Sequence, residues 1–331
     1  MELILIASLI LGFLVTLFFT PIWVKRAKKV GLVGTDVHKL EKNKEAEAGG
    51  VCVLSGFVLS VLSYIAIKTF YFNDMNRFIE MFALLSSVLI ASFIGLIDDL
   101  LGWKIGLNRK TRIIFLVFAA IPLVVINAGE SIMGGIDFGL FYPLFLIPIG
   151  IIGATAGFNF LAGYNGLETS QGILILSGLS LVSWYTGSNW LGFIALIMVS
   201  CLLAFFIFNK YPAKIFPGDT LTYSVGVLIA IIAILGNIEK IAIFFFIPYI
   251  IETGLKLRGN LKKESFLKLE QNGSLGVPYE KFYSLGHVAV YILKKAKKNK
   301  RVSEKEVVWI INLFQIFIIL LGLILFRGTI F

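Results

Sequence analysis

Phe158-Asn159-Phe160-Leu161-Ala162-Gly163-Tyr164-Asn165-Gly166-Leu167-Glu168 breaks a long apolar run with two amides, two glycines and a carboxylate. At membrane depth, backbone this polar is tolerated only where protein or a watery cavity surrounds it. The stretch is therefore either a short turn between two spans or the floor of a site. The runs on either side, 140–158 and 171–186, approach the ~20 apolar residues that cross a bilayer. The composition agrees. The chain is 58% hydrophobic and 15% charged, with a mean hydropathy of +0.90. That balance belongs to an all-α polytopic membrane protein and excludes an ordinary soluble domain.

Working outward, runs long enough to span occur at about 3–22, 49–67, 78–97, 112–127, 140–158, 171–186, 189–208, 221–236, 240–256 and 306–327, which makes ten transmembrane helices. The first run is followed by Pro21-Ile22-Trp23 and Lys25-Arg26-Ala27-Lys28-Lys29, with no small-residue cleavage site. Apolar first and basic after predicts a retained span with the N-terminus outside, and ten crossings return the C-terminus to the same side. The cytosolic segments are then 23–48, 98–111, 159–170, 209–220 and 257–305. Of the 30 Lys and Arg residues, only Lys68, Arg77, Lys240 and Arg327 fall outside these segments and their borders. Topology thus accounts for the net charge of +10, and no nucleic-acid partner is needed to explain it.

No internal repeat is evident, and residues 1–331 read as a single integral-membrane domain. Cys52 and Cys201 lie in apolar runs and read as buried free thiols. The longest polar segment predicts a hairpin near Asn272-Gly273 and a basic amphipathic helix over 278–299 along the membrane surface.

The polar residues that carry chemistry lie on one face of the membrane. The third span ends in Asp98-Asp99, followed by Asn108-Arg109-Lys110-Thr111-Arg112. Adjacent carboxylates at a membrane boundary are costly unless paired or bound to metal. They point about 100° apart on a helix, so they do not share one role. Asn159 and Asn165 offer amide oxygens for a hard cation and N–H groups for a base edge. Asp219 opens the eighth span within Phe216-Pro217-Gly218-Asp219-Thr220, where a helix start suits phosphate and an acid can hold Mg²⁺ against it. Asp219 reads equally as an N-cap. Phe216 can stack on a base. Together these residues describe a cytosol-facing, metal-assisted site suited to a phosphate substrate.

In this order, Asp98-Asp99, Asn159…Gly163-Tyr164-Asn165-Gly166-Leu167-Glu168 and Phe216-Pro217-Gly218-Asp219-Thr220 resemble the polyprenyl-phosphate N-acetylhexosamine-1-phosphate transferase superfamily. The dolichyl-phosphate GlcNAc-1-phosphotransferases, in an archaeal version, are the most similar branch. The resemblance covers most of the chain, from Asp36 to about Tyr283. It implies ten transmembrane helices and transfer of GlcNAc-1-phosphate from UDP-GlcNAc to an isoprenoid phosphate, with release of UMP. In an archaeon the enzyme would lie in the plasma membrane.

By the same resemblance, Asn159 and Asp219 match ligands of Mg²⁺, for which Mn²⁺ can substitute. Gly163 and Asn165 match uracil-binding residues, Phe216 the aromatic beside the uracil, and Lys110 a lysine on the pyrophosphate. Asp98 and Asp99 match the family's acidic pair. Asp99 is expected to orient the acceptor phosphate or take its last proton, with Asp98 nearer to Lys110 and the metal. Asp36, Lys39 and Glu47 match polar residues of the first cytosolic loop. Lys262 and Lys263 stand where the eukaryotic enzymes carry an Arg-His-Arg cluster, a departure that bears on the sugar more than on the reaction. A histidine-rich motif of the muramyl-pentapeptide branch is absent, since the chain has only His38 and His287. Homodimers occur in the superfamily, but no dimer surface can be read in this chain.

Two other classes fit less well. A transporter predicts carboxylates near the bilayer middle and repeated halves. A CDP-alcohol phosphotransferase predicts an Asp-Gly…Asp…Asp pattern that this chain lacks.

Overall fold

The computed structural model describes residues 3–39, 43–102, 106–133 and 135–330. Parts of the expected cytosolic segments 23–48 and 98–111 lie outside that set. The described chain is predominantly helical. The first three long helices are α1 (Ile6–Val30), α2 (Gly50–Phe70) and α3 (Phe78–Leu101). They are followed by α4 (Arg109–Val125), α5 (Ile147–Phe160), α6 (Leu167–Tyr185), α7 (Asn189–Asn209) and α8 (Gly218–Leu235). The chain continues through α9 (Glu239–Phe245), α10 (Ile247–Arg258), α11 (Leu285–Ala296), α12 (Glu304–Leu325) and the short α13 (Arg327–Ile330).

Among the described residues, three two-stranded antiparallel ribbons lie in the loops: β1 (Val33–Thr35) with β2 (Lys44–Ala46), β3 (Ile132–Met133) with β4 (Ile136–Asp137), and β5 (Lys268–Leu269) with β6 (Leu275–Gly276). The last ribbon turns at Asn272-Gly273, where the hairpin was expected. The amphipathic helix forms as α11, shorter than the expected 278–299, with Ser284 as its N-cap.

Local chemistry sets the helix ends. Asn108 caps α4 by accepting the Thr111 N–H at 2.9 Å. Ser303 and Glu306 form a capping box that starts α12. Gly31, at φ +80°, ends α1 in the left-handed conformation, with Lys28 and Lys29 in the last turn. Pro248 sits in the first turn of α10 and lacks the N–H that would continue α9, so this pair is broken at Phe246.

Among the described residues, seven helical segments are long and apolar enough to cross a membrane: Ile6–Val30, Gly50–Phe70, Phe78–Leu101, Tyr142–Phe160, Asn189–Asn209, Gly218–Leu235 and Glu304–Leu325. The structure therefore supports an all-α polytopic membrane protein. The other three expected runs also form helices, but of different character. α4 has only 17 residues and opens with Arg109, Lys110 and Arg112. α6 carries Glu168, Thr169, Ser170 and Gln171 in its first turns. The third is the broken α9–α10 pair. Large apolar side chains such as Phe18, Phe93, Ile114, Phe118 and Phe317 are exposed around the bundle, as a lipid-facing surface requires.

α8 is the most enclosed of the seven, and glycines bring neighbouring backbones onto it. A Cβ on Gly50 would lie 2.2 Å from the Leu221 nitrogen, and one on Gly95 would lie 2.5 Å from the Asp219 carbonyl oxygen. Without a hydrophobic force between helices in lipid, such close backbone contact is a principal source of association. Gly95→Leu is expected to destabilise the bundle by about 1–3 kcal/mol or more, because the obstructing atoms are backbone. The check is the thermal midpoint in detergent. An unchanged midpoint would mean that α3 and α8 do not meet at this point.

Candidate active site

The tight seat of α8 brings the acids together. α3 delivers Asp98 and Asp99 in its last turn, α8 delivers Asp219 in its first, and α5 delivers Asn159 near its C-terminus. The two adjacent aspartates divide as the helix geometry requires. Asp99 turns onto the start of α8. Its Oδ1 accepts the Asp219 N–H at 2.6 Å, and its Oδ2 accepts the Thr220 hydroxyl at 2.6 Å and the Thr220 N–H at 3.1 Å. It supplies the acceptors that the orphan amides of a helix N-terminus need. Gly218, at φ +70°, leaves room for it: a Cβ there would lie 2.4 Å from Asp99 Oδ2.

Asp98 faces the other way. Its Oδ1 accepts the Leu107 N–H at 2.6 Å, and its Oδ2 is paired with the Arg112 guanidinium. Arg112 also lies 3.5 Å from Asp219 Oδ2 and donates from Nε to the Leu107 carbonyl at 2.9 Å. The carboxyl groups of Asp98 and Asp219 meet. Asn159 donates from Nδ2 to Asp219 Oδ1 at 2.9 Å. Asp98, Asp99, Asp219 and Asn159 are therefore brought together. The cation that meets them is Arg112, while Lys110 is exposed. Arg112 was in view in the sequence but carried no role there. Its place one turn into α4, on the flank of the acidic pair, was the available signal.

The first loop lies against this cluster through a parallel bridge between Ala46 and Ile215. Phe216 donates its N–H to the Ala46 carbonyl at 2.8 Å. Glu47 packs beside Gly34 and near Phe216, and burial pushes its carboxyl above the ordinary range. Burial also pushes Asp36 up, but bonds from Lys39, Asn165 and the His38 amide outweigh it and hold that carboxyl below its usual value. Lys39 pairs with Asp36 at 2.8 Å. Lys262 and Lys263 are exposed, and the Lys263 ammonium lies 5.0 Å from the centre of the Tyr279 ring.

The loop 161–166 is shaped by carboxylates from elsewhere. Gly163, at φ +106°, donates its N–H to Glu168 Oε1 at 2.7 Å, and the Phe266 ring covers its Cα side. Glu168, which the sequence left without a role, thus ties the loop to the first turn of α6. Asn165 is only 6% exposed, and both polar atoms of its side chain are engaged. Nδ2 donates to Asp36 Oδ2 at 3.0 Å and to Glu304 Oε1 at 2.7 Å, while Oδ1 accepts the Ala213 N–H at 2.7 Å. Its backbone N–H also reaches Glu304 Oε1, at 2.6 Å.

His38 completes this buried knot. It stacks on Tyr164 at 5.0 Å, accepts the Leu267 N–H at 3.2 Å, and lies 3.7 Å from Glu304 Oε1. Ligand-type atoms of Asp36, His38 and Glu304 lie within 4.8 Å of one another, a spacing that could hold a divalent cation. The Asn165 amide donates to both carboxylates of this group. Sequence reasoning missed Glu304, and its only signal was its place after Ser303 at the start of the last apolar run. His287, in the first turn of α11, is fully buried.

An apolar groove of about 940 Å³ runs along α5, α8, α9 and α10, with Gly150, Gly153, Gly157, Ala230, Phe246 and Thr253 in its wall. Its lining residue Gly157 lies two residues before Asn159. Near that end, Lys256 of α10 donates to the Phe160 carbonyl at 2.5 Å and lies 3.8 Å from Glu252.

Residues 81–237, the stretch from α3 to α8 that carries the acids and Asn159, match the model of glycosyl transferase family 4. A protein of Saccharolobus solfataricus assigned as a UDP-N-acetylglucosamine–dolichyl-phosphate N-acetylglucosaminephosphotransferase is 36% identical over 296 residues, 86% of this chain and 88% of its own. The enzyme of that name from Dictyostelium discoideum is 28% identical over 266 residues, 67% of this chain and 64% of its own. A phospho-N-acetylmuramoyl-pentapeptide-transferase of Halalkalibacterium halodurans is 27% identical over 271 residues, 76% of this chain and 81% of its own. With the archaeal similarity running through nearly the whole of both chains, this protein belongs to glycosyl transferase family 4.

Proposed function

We propose that the chain transfers GlcNAc-1-phosphate from UDP-GlcNAc to a polyprenyl phosphate of dolichyl type and releases UMP, the first membrane step in building a lipid-linked oligosaccharide for N-glycosylation. The observation that carries this reading is the meeting of Asp98, Asp219, Asn159 and Arg112 in a bundle whose apolar groove reaches Gly157, two residues before Asn159. A charged phosphate chemistry and a long apolar chain are thereby served at adjoining places. The names of the archaeal and Dictyostelium relatives support the donor and the acceptor.

The donor set fits a hard divalent cation. Two carboxylates, Asp98 and Asp219, share one guanidinium, and Asp99 and Glu47 add further negative charge beside them. That excess is what a bound Mg²⁺ or Mn²⁺ would balance, and carboxylate and amide oxygens are its preferred ligands. Asn159 and Asp219 would hold it, with Asp98 beside them. When bound, the ion supplies charge neutralisation at the donor pyrophosphate.

The protein's own residues do the rest. Arg112 holds Asp98 and Asp219 in place, and Asp99 fixes the start of α8 so that Asp219 points at Asn159. Lys110, Lys262 and Lys263 offer exposed cations to the phosphates, and Phe216 offers a ring to the base beside Gly163. An oxygen of the acceptor phosphate attacks the phosphorus that bears the sugar. A new P–O–P link forms as the bond to UMP breaks. A phosphate monoester is already largely ionised at neutral pH (second pKa about 6), so no strong general base is required.

This reading carries the topology with it: ten crossings, both termini outside, and the site on the cytoplasmic side of the plasma membrane. The one-sided distribution of Lys and Arg supports that orientation. Purified protein with Mg²⁺ and a polyprenyl phosphate is expected to release UMP from UDP-GlcNAc. UDP-GalNAc and a UDP-muramyl-pentapeptide supplied in parallel identify the donor. Release of no UMP from any of the three would overturn the assignment.

A further inference from the structure

Asn165 is fixed from three directions by segments remote in sequence. Glu304 opens α12, Ala213 lies in the α7–α8 loop, and Asp36 belongs to the first loop. Both amide hydrogens of its side chain and its oxygen are taken, and so is its backbone N–H. A side chain so committed cannot also read a base without giving up a buried bond. The part of the loop still open to a nucleotide is its main chain around Gly163, whose own N–H is held by Glu168.

Glu304 has the largest share in this arrangement. One of its carboxylate oxygens takes two N–H groups of a single residue, at 2.6 and 2.7 Å, and its side chain is 2% exposed. Leaving buried N–H groups without their acceptor is costly, so these bonds hold the residue firmly. The loop gains little from its own backbone, with Leu167 N–H to the Tyr164 carbonyl as its internal bond. Its shape is therefore imposed from outside, by Glu304 of α12 together with Glu168, Asp36 and Ala213.

We infer that Glu304 is a positioning residue for the donor: it holds the loop 163–166 in the form that receives the uridine, and it acts through Asn165 without touching the substrate. This inference rests on the proposed transferase reading. It assigns nucleotide recognition to the main chain of the loop, with Asn165 as the peg that Glu304 and Asp36 hold.

The test compares Glu304→Ala and Glu304→Gln with the unaltered protein. Three quantities are measured: KM and kcat for UDP-GlcNAc, KM for the polyprenyl phosphate, and calorimetric affinity for UMP. Glu304→Ala is expected to raise the donor KM and weaken UMP binding in parallel by about tenfold to a hundredfold, the scale of losing buried hydrogen bonds to a carboxylate. Meanwhile kcat and the acceptor KM stay within about twofold. Glu304→Gln keeps an acceptor oxygen and is expected to recover part of the affinity. An unchanged donor KM and UMP affinity in either variant would overturn the inference, as would a fall in kcat alone. If Glu304→Ala does not fold, the Glu304→Gln affinities decide. An unaltered protein that neither turns over nor binds UDP-GlcNAc would overturn the transferase reading itself. Normal turnover with indifferent Glu304 variants would overturn only the positioning role.

Discussion

Asp219→Ala is expected to lower kcat for UMP release by about 10²–10³-fold, the usual cost of removing one preorganised electrostatic group from a site. Asp219 is the residue on which the other members converge. Asn159 donates to its Oδ1, Arg112 approaches its Oδ2, and the Asp98 carboxyl touches it. Its own N–H is held by Asp99, so its backbone position survives the substitution while the ligand atoms are lost. The signature that separates this from a folding defect is the metal titration. The Mg²⁺ concentration for half-maximal residual activity should rise, with the thermal midpoint little changed. Activity and Mg²⁺ dependence that both persist in Asp219→Ala would remove this residue from the metal site.

Arg112→Ala should cost nearly as much in activity, and unlike Asp219→Ala it should also destabilise the fold. It leaves Asp98 and Asp219 facing each other without their guanidinium. Removing one member of a buried pair costs about 3–5 kcal/mol, and solvent reaches 34% of the Arg112 side chain, so the loss should fall at or below the lower end. Because the same carboxylates would be neutralised by a divalent cation, added Mg²⁺ should restore part of the lost thermal midpoint. Arg112→Lys keeps the charge but not the two-pronged reach, and should fall between. Lys110→Ala, at an exposed position, is expected to raise the donor KM without moving the midpoint. If Lys110→Ala lowers the midpoint more than Arg112→Ala does, the roles given to the two cations are reversed.

The parts of this site legible in sequence are those whose chemistry is out of place. Two carboxylates at the end of an apolar run, an amide inside one and an aspartate opening another each violate the composition around them, so Asp98, Asp99, Asn159 and Asp219 stand out unaided. The division of labour between Asp98 and Asp99 was legible only as a 100° difference in direction. Which aspartate faces α8 depends on how α3 lies against it, and that is set by Gly95, a glycine without any polar mark. Arg112 was hidden among three basic residues in four positions, where spacing alone cannot say which one turns inward. Glu304 was the least visible. It sits beside a basic tract at a helix start, where an acid is ordinary, and its partner Asn165 is 139 residues away. The number of crossings shows the same limit. Apolar length marks seven segments plainly, while α4, α6 and the α9–α10 pair are polar or broken for reasons of site-building that hydropathy averages away.

The groove beside Gly157 and Phe246 has a kinetic consequence. Several of the side chains that line it, among them Ile149, Ile243 and Ile250, are exposed on the outer surface of the bundle. A hydrocarbon tail can therefore enter sideways from the bilayer while a nucleotide sugar diffuses in from water. Neither substrate obstructs the other's route, so saturating one does not close the way for its co-substrate. A detergent with a long alkyl tail would then compete with the lipid alone, raising its apparent KM and leaving that of the nucleotide untouched.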